Sequence, residues 1–268
     1  MVGHDLRTTT TVLIDTHCHL DDAAFADDYD DVIAESIGAN VRGWINVGFE
    51  PGRWTSSIAL KDRTPGMSVM LGVHPSSAEQ WSISTRDGLE RLLRESGAVA
   101  IGEIGLDFLR SLPAKDLQAR VFIDQLALAL EIGLPVAIHM RESEEAMIEI
   151  LRQRQPLPRL LFHSYDGGPA MTDFVLSTGA FVGVGGLATR KSSERLRHEL
   201  QRIPLSQMVL ETDSPYLVPA RIKSRRNTPA QVHTIMSFLA KLKSEQPSQV
   251  ALVTTLNAFD LFGRLITA

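Results

Sequence analysis

Two histidines separated by one residue, in Asp15-Thr16-His17-Cys18-His19, open the list of side chains here that could do chemistry. On an extended segment, residues two apart face the same side, so both imidazoles can reach one ion. Single histidines follow at His74, His139 and His163, and carboxylates at Glu103, Asp107, Glu211 and Asp213. A His-x-His pair alone is a weak signal, because eight histidines in 268 residues produce one by chance in roughly a quarter of sequences. A lone histidine is equally at home in a core, bonded to backbone. Position separates the two readings.

Short β-rich runs recur at Val12–Ile14, Gly43–Val47, Ser68–Gly72, Val99–Ile104, Pro135–Ile138, Leu160–Phe162, Ala180–Val184 and Met208–Glu211. They are nearly continuous hydrophobics, as expected of strands buried on both faces. Helical spacing fills the gaps, most clearly over Lys115–Ile132, Ser143–Gln153, Ser192–Ile203 and Thr228–Lys243, with an extra C-terminal helix over Gln249–Leu265. Alternating strands and helices predict a parallel α/β architecture, and eight such units in this length predict a single (β/α)8 TIM barrel. The glycine cluster Gly183-Val-Gly-Gly186 lacks the spacing of a dinucleotide fingerprint. The expected organisation is a flexible tail over 1–11 and one barrel domain over 12–268.

In such a barrel the chemistry sits at the C-terminal ends of the strands. His17, His19, His74, His139 and His163 all fall there, leaving His4 in the tail and His198 and His233 in helices. The expected ligands are His17, His19, Glu103, His139, His163 and Asp213. Four imidazoles and two carboxylates exceed what one tetrahedral ion needs. The expectation is therefore two divalent ions sharing Glu103, the first taking His17, His19 and Asp213 and the second His139 and His163. Each would keep an open position where water is acidified, the mark of catalysis. Cys18 points to the opposite face from the two histidines and reads as a small apolar filler. Asp107 and Glu211 read as carboxylates that orient ligands.

The chain is 44% hydrophobic and 22% charged, ordinary globular values, with a formal net charge of −5. General nucleic-acid binders usually carry the opposite balance. One cysteine excludes an internal disulfide, no apolar run is long enough to cross a membrane, and the polar, Thr-rich residues 1–11 lack a signal-peptide core. A cytoplasmic location and a monomer are expected.

The motifs Ile14-Asp-Thr-His-Cys-His-Leu, Gly72-Val-His-Pro, Ala100-Ile-Gly-Glu-Ile-Gly-Leu-Asp-Phe, Leu134-Pro-Val-Ala-Ile-His-Met-Arg and Leu210-Glu-Thr-Asp-Ser-Pro-Tyr-Leu resemble those of the TatD-type metal-dependent deoxyribonucleases, of the amidohydrolase-like barrel superfamily. The resemblance runs from Leu13 to about Phe262, and the family's ligands map onto the six residues named above. It implies hydrolysis of DNA phosphodiesters, exonuclease-like from the 3′ end, with Mg, Mn or Zn as the metal. Three places depart from the family pattern: Ser76 follows His74-Pro75 where a second histidine is usual, Tyr165-Asp166 stand where Phe-Ser is usual, and Thr228 replaces a glutamate.

On this reading Glu103, Asp213 and His74 are catalytic. Asp213 orients the attacking water and takes its proton, and His74 bonds a phosphate oxygen or the leaving group. Substrate contacts are expected from His74, Arg141, Lys191, Arg225 and Arg226. Arg221-Ile-Lys-Ser-Arg-Arg226 carries four positive charges in six residues, and Arg190-Lys191 adds two. No extended basic face exists, so the expected partner is single-stranded DNA or strand ends. Two other classes compete: a two-metal amide, ester or lactone hydrolase, and a non-catalytic metal-binding partner protein.

Overall fold

The computed structural model describes residues 12–110, 113–263 and 265, so the tail expected over 1–11 lies outside the described residues. Eight strands form one sheet in chain order: β1 Leu13–Cys18, β2 Val41–Gly48, β3 Met67–Leu71, β4 Ala100–Asp107, β5 Val136–Arg141, β6 Leu160–Phe162, β7 Phe181–Val184 and β8 Met208–Leu210. Each pairs in parallel with the next. The ring closes beyond β8, where the Asp213 N–H donates to His17 O (2.9 Å) and the His19 N–H to Ser214 O (2.8 Å). This is the expected (β/α)8 barrel.

The helices are α1 Tyr29–Gly38, α2 Trp54–Arg63, α3 Ile83–Ser96, α4 Lys115–Ile132, α5 Glu144–Gln153, α6 Pro169–Thr178, α7 Glu194–Arg202, α8 Val232–Lys243 and α9 Pro247–Phe262. Helix α4 fills its expected span and stops at Gly133, whose φ of +71° suits a residue without a Cβ. Helix α8 starts four residues later than its spacing suggests. The proline at 229 disfavours helix in Thr228 before it, and Pro229–Gln231 form a 3-10 turn instead.

Two apolar layers result. The outer one joins strands to helices through Trp44, Leu71, Leu89, Phe122 and Leu128. The inner one joins Ile14, Ile45, Met70, Ala137, Leu161 and Val209 to Ala258, Leu261 and Phe262 of α9. Helix α9 thereby plugs the N-terminal end of the barrel. Thr255 Oγ1 donates to Val12 O (2.7 Å), and Asn257 Nδ2 donates to Leu205 O (2.8 Å) and Met208 O (2.7 Å).

β1 and β4 run past the ends their hydrophobicity marks, to Cys18 and Asp107. At the mouth the barrel wall is polar, so the apolar signal stops while the strand continues. His17 and Glu103 consequently sit on rigid strands rather than loops.

Candidate metal centre

The exit of β1 is pinned before it delivers its histidines. Asp15 accepts from the Thr212 N–H (2.9 Å) and Thr212 Oγ1 (2.5 Å), and Thr16 Oγ1 donates to Leu210 O (3.0 Å). The Leu20 N–H donates to Asn46 Oδ1 (2.7 Å), and Asn227 Nδ2 to Thr212 O (2.8 Å). Burial drives the Asp15 carboxyl up to about 8, against the pull of its hydrogen bonds. Glu142, Ser164, Asp213 and Leu217 hold φ between +44° and +55° in the loops that follow β5, β6 and β8. Such backbone is costly for side-chain-bearing residues and concentrates at functional sites.

All six expected ligands come together. Glu103 is the hub: its Oε1 lies 2.6 Å from His139 Nδ1 and 2.8 Å from His163 Nε2, and its Oε2 lies 3.5 Å from His17 Nε2. Asp213 Oδ1 lies 3.1 Å from His19 Nε2 and 3.8 Å from His17 Nε2. The His17 and His163 rings stack at 3.9 Å. Burial alone would raise the Glu103 carboxyl, but His163, His74 and His139 pull it well below the usual range. Asp213 is lowered in the same way by its bond to His19 and the His163 charge. Burial opposes protonation of His163, yet Glu103 and Glu211 raise it well above the ordinary imidazole value. His139 and His19 are also raised, by Glu103 and by Asp213 respectively, against the same penalty.

The donor set fits divalent ions. Both ring nitrogens of buried His17, and Nδ1 of His19 and of His163, have no hydrogen-bond partner among the described residues. Leaving such groups bare costs several kilocalories in total, on the order of 1–3 kcal/mol each. An ion at His17 Nε2 relieves part of this. His17, His19 and Asp213 lie close enough to hold one ion, as do His17, His163 and Glu211. Metal-ligating imidazoles characteristically turn their other nitrogen to a carboxylate. His139 Nε2 faces Asp107 Oδ2 at 3.2 Å, and His163 Nδ1 faces Glu211 Oε1 at 3.5 Å. Gly183 makes room for Glu211, since a Cβ there would stand 2.0 Å from Glu211 Oε2.

His74 also approaches Glu103, its Nε2 at 3.8 Å from Oε1, and could be grouped with Glu103 and His139 as a third cluster. Its hydrogen bonds argue otherwise. The Ser76 N–H donates to His74 Nδ1 (3.1 Å), so that nitrogen carries no proton, and burial holds the ring neutral with its pKa at about 3. The proton is then on Nε2, which faces the cavity as a donor. Ser76 Oγ reinforces this at 2.7 Å from Nδ1. The departure at Ser76 therefore fixes a tautomer.

The expected substrate-binding residues divide. Arg141 lines the mouth and makes no ion pair within 4 Å among the described residues. Arg226 is turned away, its guanidinium bonded to Ala24 O and Asp28 and lying 4.8 Å over the Phe25 ring. Lys191 and Arg225 are exposed and do not line the mouth, whereas Arg190 and Arg110 do. Arg110 escaped notice because it sits alone after β4, and of the pair Arg190-Lys191 the sequence, which gives no facing, led to Lys191 rather than Arg190. Phe49 and Tyr216 line the same mouth beside His19 and His74. Of the other departures, Tyr165 is buried with its hydroxyl 2.8 Å from Thr172 Oγ1, Asp166 lines the cavity beside Arg141, and Thr228 Oγ1 is 3.5 Å from Glu35. Cys18 is buried and donates to Ile45 O (3.4 Å), the filler role expected of it.

A parallel barrel with this mouth defines a class, the barrel hydrolases whose donor set suits divalent ions. The chain belongs to the TatD related DNase family, whose model matches residues 14–263. It is 32% identical over 256 residues to the 3′-5′ ssDNA/RNA exonuclease TatD of Salmonella typhimurium, covering 93% of this chain and 98% of that protein. Identity to the TatD exonuclease of Erwinia tasmaniensis is 35% over 258 residues, covering 94% and 100%. The crystal structure of the TatD homologue YjjV from Escherichia coli superposes with a TM-score of 0.88 at 28% identity, covering 94% of this chain and 98% of that one. No helix among the described residues is long and apolar enough to cross a membrane.

Proposed function

We propose that the chain is a metal-dependent 3′-5′ exonuclease that hydrolyses phosphodiester bonds of single-stranded DNA or strand ends. The observation that carries this reading is the convergence of His17, His19, His139, His163, Glu103 and Asp213 on one mouth, with the bare Nε2 of His17 facing the Glu103 and Asp213 carboxylates. The TatD relatives bear that activity in their names. Two ions, Mg, Mn or Zn, would be held by these six residues, with Glu103 offering Oε2 toward His17 and Oε1 toward His139 and His163. Bound there, divalent ions supply Lewis acidity to a phosphoryl group and lower the pKa of water.

The chain's own residues do the rest. Asp213, held ionised, accepts the proton of the attacking water. His74 donates from Nε2 to a phosphate oxygen or the leaving group. Arg141, with Arg110 and Arg190, pairs with phosphate, a fork geometry suited to it. Asp107 and Glu211 hold the His139 and His163 rings in register. One domain, a monomeric state and a cytoplasmic location belong to the same reading, the last supported by the single buried, unpaired Cys18.

The test is a metal-by-substrate panel. The purified chain, stripped and reloaded with Mg, Mn or Zn, is assayed on single- and double-stranded oligonucleotides labelled at either end. Stepwise shortening from the 3′ end of single strands is expected. Turnover of simple esters with none on DNA would instead support the amide, ester or lactone hydrolase. Equal activity in Glu103→Gln would leave only a non-catalytic binding protein.

A further inference from the structure

The mouth is not one cavity but two lobes meeting at the candidate metal centre. One lobe, of about 290 Å³, is walled by Phe49, Tyr216, His19 and His74, with Ser76 at its end. The other, of about 210 Å³, is lined by Arg110, Arg141 and Arg190. His139, His163, Asp213, Arg110 and Leu217 border both. The arginine lobe continues outward, sharing Met140, Arg141 and Asp166 with a further cavity of about 440 Å³ that adds Lys115 and Arg195 together with Glu142, Glu144 and Glu145. Among the described residues the aromatic lobe has one lining cation, Arg110, which it shares with the arginine lobe. Its neighbouring guanidinium, Arg53, lies 5.0 Å over the Phe49 ring and is already paired with Asp21 (3.0 Å) and Asp22 (3.8 Å).

We propose that the aromatic lobe is a subsite that stacks the terminal nucleobase, chiefly on Tyr216, while the arginine lobe carries the backbone away. The inference rests on the phosphodiesterase reading and adds which end of the strand lies where and what recognises it.

Three observations carry it. First, Tyr216 is 49% exposed yet fixed: its N–H donates to Asp213 O (2.8 Å), its hydroxyl donates to Asp22 Oδ2 (3.2 Å), and Asp213 and Leu217 beside it hold φ of +55° and +49°. A large aromatic held open beside a site, with its rotamer already chosen, loses little entropy when a flat group lies on it. Second, Phe49 stands edge-on to His19 (5.4 Å) and His74 (6.1 Å), so the lobe's far wall is aromatic as well. Base–aromatic stacking tolerates every base, because each has a π-face. Third, the size suits a single base. The lobe, of about 290 Å³, stands at the small end of the roughly 300–1,000 Å³ of pockets that enclose drug-sized ligands. Arg141 and Arg190, which line the arginine lobe alone, favour the next phosphate on that side. A terminal base must leave its duplex to enter, which selects single strands and frayed ends.

The experiment compares a single-stranded oligonucleotide ending in a natural 3′ nucleotide with one ending in an abasic 3′ nucleotide, using the metal-loaded full chain. Wild type is expected to prefer the base by about ten- to a hundredfold in kcat/KM, mostly through KM. Tyr216→Ala should lose most of that preference, and Tyr216→Trp should keep it. Arg190→Ala should keep the base preference and flatten the salt dependence instead. As a measure that needs no turnover, 2-aminopurine at the 3′ terminus should be quenched on binding to Glu103→Gln, and the same base four nucleotides inward should not. Cleavage of both oligonucleotides at equal rates, or a preference that survives in Tyr216→Ala, overturns the subsite while leaving the phosphodiesterase reading intact. No cleavage of either with any metal removes both.

Discussion

The two ends of this barrel are made from the same eight strands and differ in almost every physical respect. At the N-terminal end, Ala258, Leu261 and Phe262 of α9 pack onto Ile14, Met70, Leu161 and Val209, and each hydrogen-bonding group named there has a partner. At the C-terminal end, buried imidazole nitrogens stand without partners, carboxylates crowd together, and five side-chain-bearing residues, Glu142, Ser164, Asp213, Leu217 and Arg221, hold left-handed backbone. One end supplies stability and the other consumes it.

The sharpest way to break the comparison is Glu103→Gln. It should lower hydrolysis by about a thousandfold or more, the scale of losing a group that acts on developing charge, while circular dichroism still reports a folded barrel. Next, Phe262→Ala at the opposite end should cost about 3–5 kcal/mol in denaturant unfolding. Its kcat/KM at 25 °C should stay within a few-fold of wild type. A fall in activity as large as its fall in stability would show that the two ends are not independent.

Third comes Glu211→Gln, which should weaken metal affinity by about 10–100-fold, read by calorimetry. The sign of the pH dependence follows from the imidazoles. His163, His139 and His19 bind protons more tightly than free histidine, and those protons must leave before an ion can bind. Metal affinity should therefore rise with pH through and above the ordinary histidine range, with protons released on binding. Affinity that falls or stays flat over that range would reject the assignment. The smallest effect is expected from Lys191→Ala with Arg225→Ala, both exposed and off the mouth, which should leave the salt slope of DNA cleavage unchanged.

The barrel and the ligand set were legible because each has a local signature. Buried parallel strands read as apolar runs, and His17, His139, His163 and Asp213 sit at the ends of those runs. What stayed hidden depends on how loops fold back. Arg226 looked like part of a basic rim, but its guanidinium lies on Phe25 and bonds Asp28, nearly 200 positions away in the chain. Arg110 and Arg190 carry no motif, and only the folded chain brings them to one cavity with Arg141. Phe49 offers no donor atom, so a search for metal ligands passes over it. Ser76 read only as a departure from the family pattern, and its backbone N–H and hydroxyl set the proton on His74.

The seam of the barrel has a consequence for how the molecule comes into being. His19 meets Asp213 across 194 positions of chain, through the same backbone bonds that join the first strand to the last. During synthesis the first histidine pair emerges early and waits for nearly the whole polypeptide. A chain cut short before its eighth strand holds part of the donor set and no enclosed mouth. Ring closure thus works as an inspection step: a degradative centre is assembled only in a finished molecule.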